Sequence, residues 1–379
     1  MAEPDPTSVA SRLAAWLRPR LAALGEGNTG EVTVGALEPA AAGQSNDTAL
    51  FRAWWTGGDR PRSGEFVLRR QPGANRLFDD ADVIREFDVM AALQLRSRVP
   101  VPEMLWSEAD AAVIGTPFFV MRRVAGRVPT ARPSIHTAGW LPELSVAERG
   151  RLWSSALDVV VAVHETDWRD THEWLAPGGD PTLEDRLAAL ARWYRWVTGG
   201  RSFPVTDAAL DALRAEAPAV RAGDPVLVWG DARIGNMIVA DDLRVAAAID
   251  WELASIGPPE VDLGHWLFFD RFFTEGAGVE PLEGFPDRAT TIARYEAASG
   301  RTLRNLEWFE LMAETMVATT LIRQADLRVQ AGLLPAGTGM GHGNAVTRMI
   351  AARLGLPVPR LDADYLAHRQ SRSAPAASS

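Results

Sequence analysis

Asp231, Asn236 and Asp250 are side chains whose types and spacing fit one chemistry. Asn236 lies five residues beyond Asp231, and Asp250 follows fourteen residues later. Phosphoryl transfer to an alcohol needs a carboxylate that orients the hydroxyl and accepts its proton. It also needs oxygen ligands for Mg²⁺, which an amide and a second carboxylate supply. The surrounding stretch reads as an apolar strand Val226–Trp229, a polar loop Gly230–Asn236 and a short strand Met237–Ala240. A turn at Asp241-Asp242 and an apolar run Val245–Ile249 then deliver Asp250. Gly, Asp and Asn also make ordinary turns. A turn alone leaves the third acid, at the end of an adjoining strand, without explanation.

These residues resemble the motifs of the aminoglycoside phosphotransferase family, small-molecule kinases that share the protein-kinase fold. The likeness is strongest to a branch with W/H-G-D-x-R-x-G-N-M, then D-W-E, then G-x-P-x-x-D-L. In this chain those are Trp229 to Met237, Asp250-Trp251-Glu252, and Gly257 to Leu263. That branch holds actinobacterial proteins classed among the aminoglycoside phosphotransferases. It also holds kinase domains fused to acyl-CoA dehydrogenases, which are associated with phosphorylating hydroxyacyl-CoA. The likeness extends over roughly residues 30 to 350. It implies an α+β, protein-kinase-like fold of two lobes, with a mixed β-sheet N-lobe and a mainly helical C-lobe. The divisions expected are an N-terminal helix (1–30), the N-lobe (31–124), the C-lobe with a helical substrate-binding insert (125–368), and a disordered tail (369–379).

The resemblance also implies roles. Asp231 is the catalytic carboxylate, and Asn236 and Asp250 hold Mg²⁺. Arg233 contacts phosphate or substrate, or else is salt-bridged within the loop. Ser45 and Asn46, in a Gly43-Gln44-Ser45-Asn46 turn, cover the ATP phosphates with backbone N–H groups. Arg69, on the strand Glu65–Arg70, stands where other kinases carry a lysine that neutralises the non-transferred phosphates. Its alternative is a surface arginine on an edge strand. Glu86 pairs with Arg69, or is a solvated helix residue. Met121 lines an adenine pocket, and the backbone of Arg122 and Val124 meets the base. Asp262 braces the catalytic loop by hydrogen bonding, or serves the positive end of the helix that follows it. Trp229 stands where much of the family has His. An indole can donate one hydrogen bond but cannot accept one, so Trp229 is expected to brace the loop by packing.

The elements that must position these groups follow from periodicity. Ser8–Leu24 carries Val9, Leu13, Trp16, Leu17 and Leu21 at helical spacing. Strands are expected at Val32–Leu37, Thr48–Trp55, Glu65–Arg70, Pro100–Trp106 and Pro117–Val124. A helix over Asp79–Leu95 would carry Ile84, Phe87, Ala91 and Leu95 on one side. Helices at Val146–His164, Leu183–Val197 and Asp207–Ala217 precede the central stretch. Val261–Phe273, Arg288–Ala298, Leu306–Gln330 and His342–Leu354 follow it. Six tryptophans between residues 134 and 200 are helix core or the walls of an acceptor pocket.

Composition narrows the classes. The formal charge of −10 argues against nucleic acid as partner, since phosphate contacts need clustered Lys and Arg. With no Cys there is no thiol nucleophile, disulfide or thiolate metal site. His164 and His172 flank Glu165, Asp167 and Asp170, but without H-E-x-x-H spacing a structural role is the better reading. No P-loop and no G-x-S-x-G occurs. No apolar run reaches the length of a membrane span, and no signal pattern opens the chain. A cytoplasmic monomer or homodimer is expected. The expected activity is Mg-ATP-dependent phosphorylation of a hydroxyl on a small molecule, such as an aminoglycoside-like antibiotic or another hydroxylated metabolite. A hydroxyacyl-CoA kinase is the alternative acceptor reading. A nucleotide-binding sensor or scaffold with little transfer activity is the alternative from another class.

Overall fold

The computed structural model describes residues 6–23, 29–40, 47–57, 60–73, 75–129 and 134–370. The chain separates into two compact units. One takes in the described residues up to Gln94 together with Val101–Val124, and the other takes in Leu95–Pro100 and the chain from Ala125 onward.

The first unit is a sheet with helices. Helix α1 (Pro6–Ala23) is followed by β1 (Thr29–Val34), β2 (Glu38–Pro39), β3 (Asp47–Gly57) and β4 (Arg60–Arg70). Then come α2 (Val83–Arg96), β5 (Met104–Glu108) and β6 (Phe118–Arg122). The sheet runs in the order β1-β3-β4-β6-β5, with β2 paired to β3. Its pairings are all antiparallel, where the sequence reading expected a mixed sheet. A helical crossover does set β5 in the same direction as β4. However, β6 lies between them and reverses both pairings.

The apolar stripe of α1 behaves as its spacing dictates. Leu13, Leu17 and Leu21 are fully buried, and they form one core with Phe51, Phe66, Leu68, Phe118 and Val120 of the sheet. The β3–β4 hairpin is longer than expected, because β4 begins at Arg60. Its first half (Arg-Pro-Arg-Ser-Gly) is largely exposed and lacks the alternation that marks a half-buried strand. Helix α2 buries a different face from the one its aliphatics suggest. Val83, Glu86, Val89, Met90 and Leu93 are inside, while Leu95 is 77% exposed. A buried charge sits on the inner stripe, so hydrophobicity alone points the wrong way.

The second unit is mainly helical. It contains α3 (Val146–His164), α4 (Trp168–Thr171), α5 (Leu183–Thr198) and α6 (Pro204–Glu216). Two small antiparallel ladders follow, from β7 (Val226–Val228), β8 (Met237–Val239), β9 (Val245–Ala248) and β10 (Ser255–Gly257). In them β7 pairs with β10, and β8 pairs with β9. The remaining helices are α7 (Glu260–Phe273), α8 (Arg288–Ser299), α9 (Leu306–Gln330), α10 (Ala345–Arg353) and α11 (Ala363–Gln370). The long α9 is the hub, packed by α5, α6, α7 and α10. Strand β10 escaped the sequence reading because Ser255–Gly257 is too short for a periodic signal. Gly126 has φ +146°, and a Cβ there would meet the Val239 carbonyl at 2.5 Å. Only glycine lets the chain pass so close to β8.

Of the six tryptophans in the helical segment, Trp153, Trp168 and Trp193 are buried, whereas Trp174 and Trp196 are exposed. No described helix is long and apolar enough to cross a membrane.

Candidate active site

The loop after β7 turns at Gly230, where φ is +90° and a Cβ would lie 2.5 Å from the Leu253 carbonyl. A side chain is excluded there on both counts. The turn presents Asp231, and a short 3₁₀ turn over Ile234–Asn236 returns the chain to β8. Three donors hold the Asp231 carboxylate. Arg233 Nε donates to Oδ1 at 2.9 Å and His265 Nε2 to Oδ1 at 2.7 Å, while Asn236 Nδ2 donates to Oδ2 at 2.6 Å. Burial pushes this carboxyl up, but the Arg233 guanidinium and the His265 ring outweigh it and hold it well below the usual carboxylate range. Asp231 is therefore an ionised, immobilised acceptor.

The loop backbone is gripped from α7. Asp262 is fully buried and accepts from the Trp229 and Gly230 N–H groups, both at 2.8 Å. The expectation that Asp262 braces the loop is thus met by two backbone hydrogen bonds. His164, the last residue of α3, supports it from behind. Its Nε2 meets Asp262 Oδ2 at 3.0 Å, and its Nδ1 meets the Tyr295 hydroxyl at 2.7 Å. With Nε2 donating to the carboxylate, Nδ1 is available to accept from Tyr295. His164 is structural, as its sequence setting suggested. Among the described residues no group of three or more His, Asp or Glu side chains could hold a metal alone.

Trp229 does more than pack. Its ring stacks on Trp251 with centroids 5.2 Å apart, and its indole N–H donates to the Asp250 carbonyl at 3.2 Å. Asp250 itself has φ +69°, a strained conformation for a residue with a side chain. The Ile249 N–H donates to the Asn236 carbonyl at 3.0 Å, which ties the two segments together. The charge of Asp250 lies close enough to reinforce the cationic form of Arg233.

In the sheet unit, Arg69 on β4 and Glu86 on α2 form a buried ion pair at 2.7 Å. Thr48, opposite Arg69 across the hairpin, adds a contact at 3.4 Å. Arg69 is thus neither at the surface nor on an edge strand, since β4 lies between β3 and β6. Met121 is buried on β6 opposite Val67, Arg122 ends that strand, and Val124 follows two residues on. Ser45 and Asn46 lie outside the described residues.

His265 was missed in the sequence. It lies three residues after Asp262, so the two share a face of α7. That spacing was the available signal, and it is not a metal-ligand spacing.

Residues 36–308 match the model of the phosphotransferase enzyme family. The chain belongs to that family. As a phosphotransferase it is similar to acyl-CoA dehydrogenase family member 11 of Rattus norvegicus, with 28% identity over 290 residues. That match takes in 75% of this chain and 34% of the rat protein, so the chain spans about a third of that relative's length. The equivalent protein of Gallus gallus is 31% identical over 224 residues, covering 59% of this chain and 26% of its own length. Among solved structures, a candidate aminoglycoside phosphotransferase from Ralstonia eutropha is 26% identical with a TM-score of 0.61. The match covers 86% of this chain and 91% of that one. A macrolide 2'-phosphotransferase type I shares the fold, with a TM-score of 0.54 at 18% identity, over 90% of this chain and 96% of its own.

Proposed function

We propose that this phosphotransferase moves the terminal phosphoryl group of Mg-ATP onto a hydroxyl of a small molecule. The observation that carries the reading is Asp231, held ionised by Arg233, His265 and Asn236 on a loop clamped by Asp262. The acceptor oxygen bonds to the γ-phosphorus as the bond from that phosphorus to the β–γ bridging oxygen breaks. ADP leaves with that electron pair, and the hydroxyl proton passes to Asp231 and on to solvent. A depressed carboxylate is a weak base, so its contribution is orientation of the hydroxyl, with proton transfer late. That suits a loose, metaphosphate-like transition state.

Asn236 and Asp250 would hold Mg²⁺, which would supply positive charge to neutralise the phosphates. The donor set fits: the Asn236 side-chain nitrogen donates to Asp231, which leaves its side-chain oxygen Oδ1 for a cation. Arg69, anchored by Glu86, would neutralise the phosphates that stay behind. The backbone of Arg122 and Val124, with Met121, is the proposed adenine contact, and Ser45 and Asn46 the proposed phosphate turn. Two fold relatives solved with ADP and with GDP support nucleotide use.

A second acceptor, hydroxyacyl-CoA, is favoured by the names of the matched acyl-CoA dehydrogenase family members. The test is ADP release with Mg-ATP over a panel of aminoglycosides, macrolides, hydroxyacyl-CoAs and sugar alcohols. Acceptor-dependent release should fall at least 10²-fold in Asp231→Ala, the scale of a lost acid–base group. Nucleotide binding without turnover on any acceptor would favour the sensor or scaffold reading instead.

A further inference from the structure

One stripe of α7 leads away from Asp231. His265, Phe269 and Phe272 recur at i, i+4 and i+7, so they share a face of the helix. His265 donates to Asp231, and the Arg233 guanidinium lies 5.2 Å from the Phe269 ring centre. The Phe272 ring is centred 5.8 Å from that of Phe269, and the Arg369 guanidinium of α11 lies 4.7 Å from it. From His265 to Phe272 the helix advances about 10 Å. The stripe keeps contact with solvent. The Asp231 and Arg233 side chains are 18% and 20% exposed, and Phe269 and Arg369 are half-buried.

The two cations on this stripe differ in how their charge is met. Arg233 pairs with Asp231. Arg369 has no carboxylate within ion-pair reach among the described residues, and the Tyr365 hydroxyl one turn back is the ionisable group that supports its charge. By contrast, Arg271 of α7 and Arg353 of α10 both meet Glu314. A sheltered guanidinium without a counter-charge is costly. The Phe272 face attracts its charge but leaves its fork of N–H donors without acceptors. A carboxylate or phosphate matches that fork with two parallel hydrogen bonds. A polycation laid along the same stripe would instead meet the like charges of Arg233 and Arg369.

We propose that Arg369 is the anion-recognising residue of the acceptor site. The acceptor lies along the stripe with its hydroxyl at Asp231, its body over Phe269 and a carboxylate or phosphate on Arg369. The inference rests on the phosphotransferase reading of Asp231 and adds the acceptor's charge and reach to it.

Three probes of one length separate charge from shape: 8-hydroxyoctanoate, 8-hydroxyoctyl phosphate and the neutral 8-hydroxyoctanamide, with kanamycin as the polycation. In the ADP-release assay at least one oxyanion should have a KM about ten-fold or more below that of the amide, the scale of a charge-assisted hydrogen bond. The better of the two identifies the group as carboxylate or phosphate. Arg369→Met should raise the oxyanion KM to that of the amide, with kcat and the amide KM changed less, and Arg369→Lys should keep part of the preference. Thermal unfolding reads binding without turnover. The preferred oxyanion should raise the Tm of the wild type but not of Arg369→Met. The unliganded Tm of Arg369→Met should not fall, because a charge without a partner has been removed. Asp231-dependent turnover that favours the amide or kanamycin would overturn the anion site alone. So would a lower unliganded Tm in Arg369→Met with equal KM changes for oxyanion and amide, which would make Arg369 structural. An Arg369-dependent Tm shift without turnover on any probe or on the wider panel would keep the anion site and overturn the phosphotransferase reading. Neither shift nor turnover would overturn both.

Discussion

Asp231 illustrates how a reactive position can be legible while its setting is not. Its spacing to Asn236 and Asp250 is local, fixed by a tight loop and a short hairpin, and so survives in one dimension. His265 and Asp262 reach the same loop from α7, some thirty residues away, and His164 reaches it from α3. Nothing in local periodicity reports such contacts. The depressed carboxyl has a kinetic consequence. Its proton is lost below the ordinary carboxylate range in the folded protein, so it stays ionised throughout the range in which a kinase would be assayed. The pH profile of kcat should therefore show no acid limb between about pH 5 and pH 7 from this group. A profile falling ten-fold per pH unit in that window in the wild type, but not in Asp231→Asn, would refute the assignment. The same sign governs stability. The Asp231 interactions are present above the unfolded carboxyl pKa of about 4 and are lost as pH falls through the lower folded value.

At the level of elements, α7 is the platform. Its first turn carries Asp262 and its second His265, so one helix fixes both the loop backbone and the acid on it. Its later turns bear Trp266, Phe269, Asp270 and Phe273, which pack around Arg233 of the loop. The sequence located this helix well, because its apolar run is long and its start is marked by Pro258-Pro259. It did not reveal which face bears chemistry, since nearly every residue of the first turns is buried. Helix α2 failed in the opposite way: its buried Glu86 is invisible to hydrophobic patterning and is explained only by Arg69 on β4. Asp262→Ala should leave the N–H groups of Trp229 and Gly230, and the donor of His164, buried without an acceptor. The expected cost is at least about 3 kcal/mol of stability, from unsatisfied buried donors at about 1–3 kcal/mol each. Urea denaturation monitored by tryptophan fluorescence would measure it, and a loss under about 1 kcal/mol would show that α7 does not clamp the loop.

Across the whole molecule, composition sets the outer bounds: no thiols, an acidic net charge and enough apolar residues for two cores. Each unit buries its own core. In the first, α1 covers a sheet face with Leu13, Leu17 and Leu21. In the second, α9 is surrounded by helices. Separate cores permit separate openings, because an amide exchanges through the least costly unfolding that exposes it. Leu17 is fully buried against the sheet, so Leu17→Ala removes core volume from the first unit alone. The expected cost is about 2–5 kcal/mol. Hydrogen exchange followed by mass spectrometry should then show faster exchange across β3, β4 and β6. Protection across α7 and α9 should remain at the wild-type level. Equal loss of protection in α9 would mean that the two cores unfold as one cooperative body.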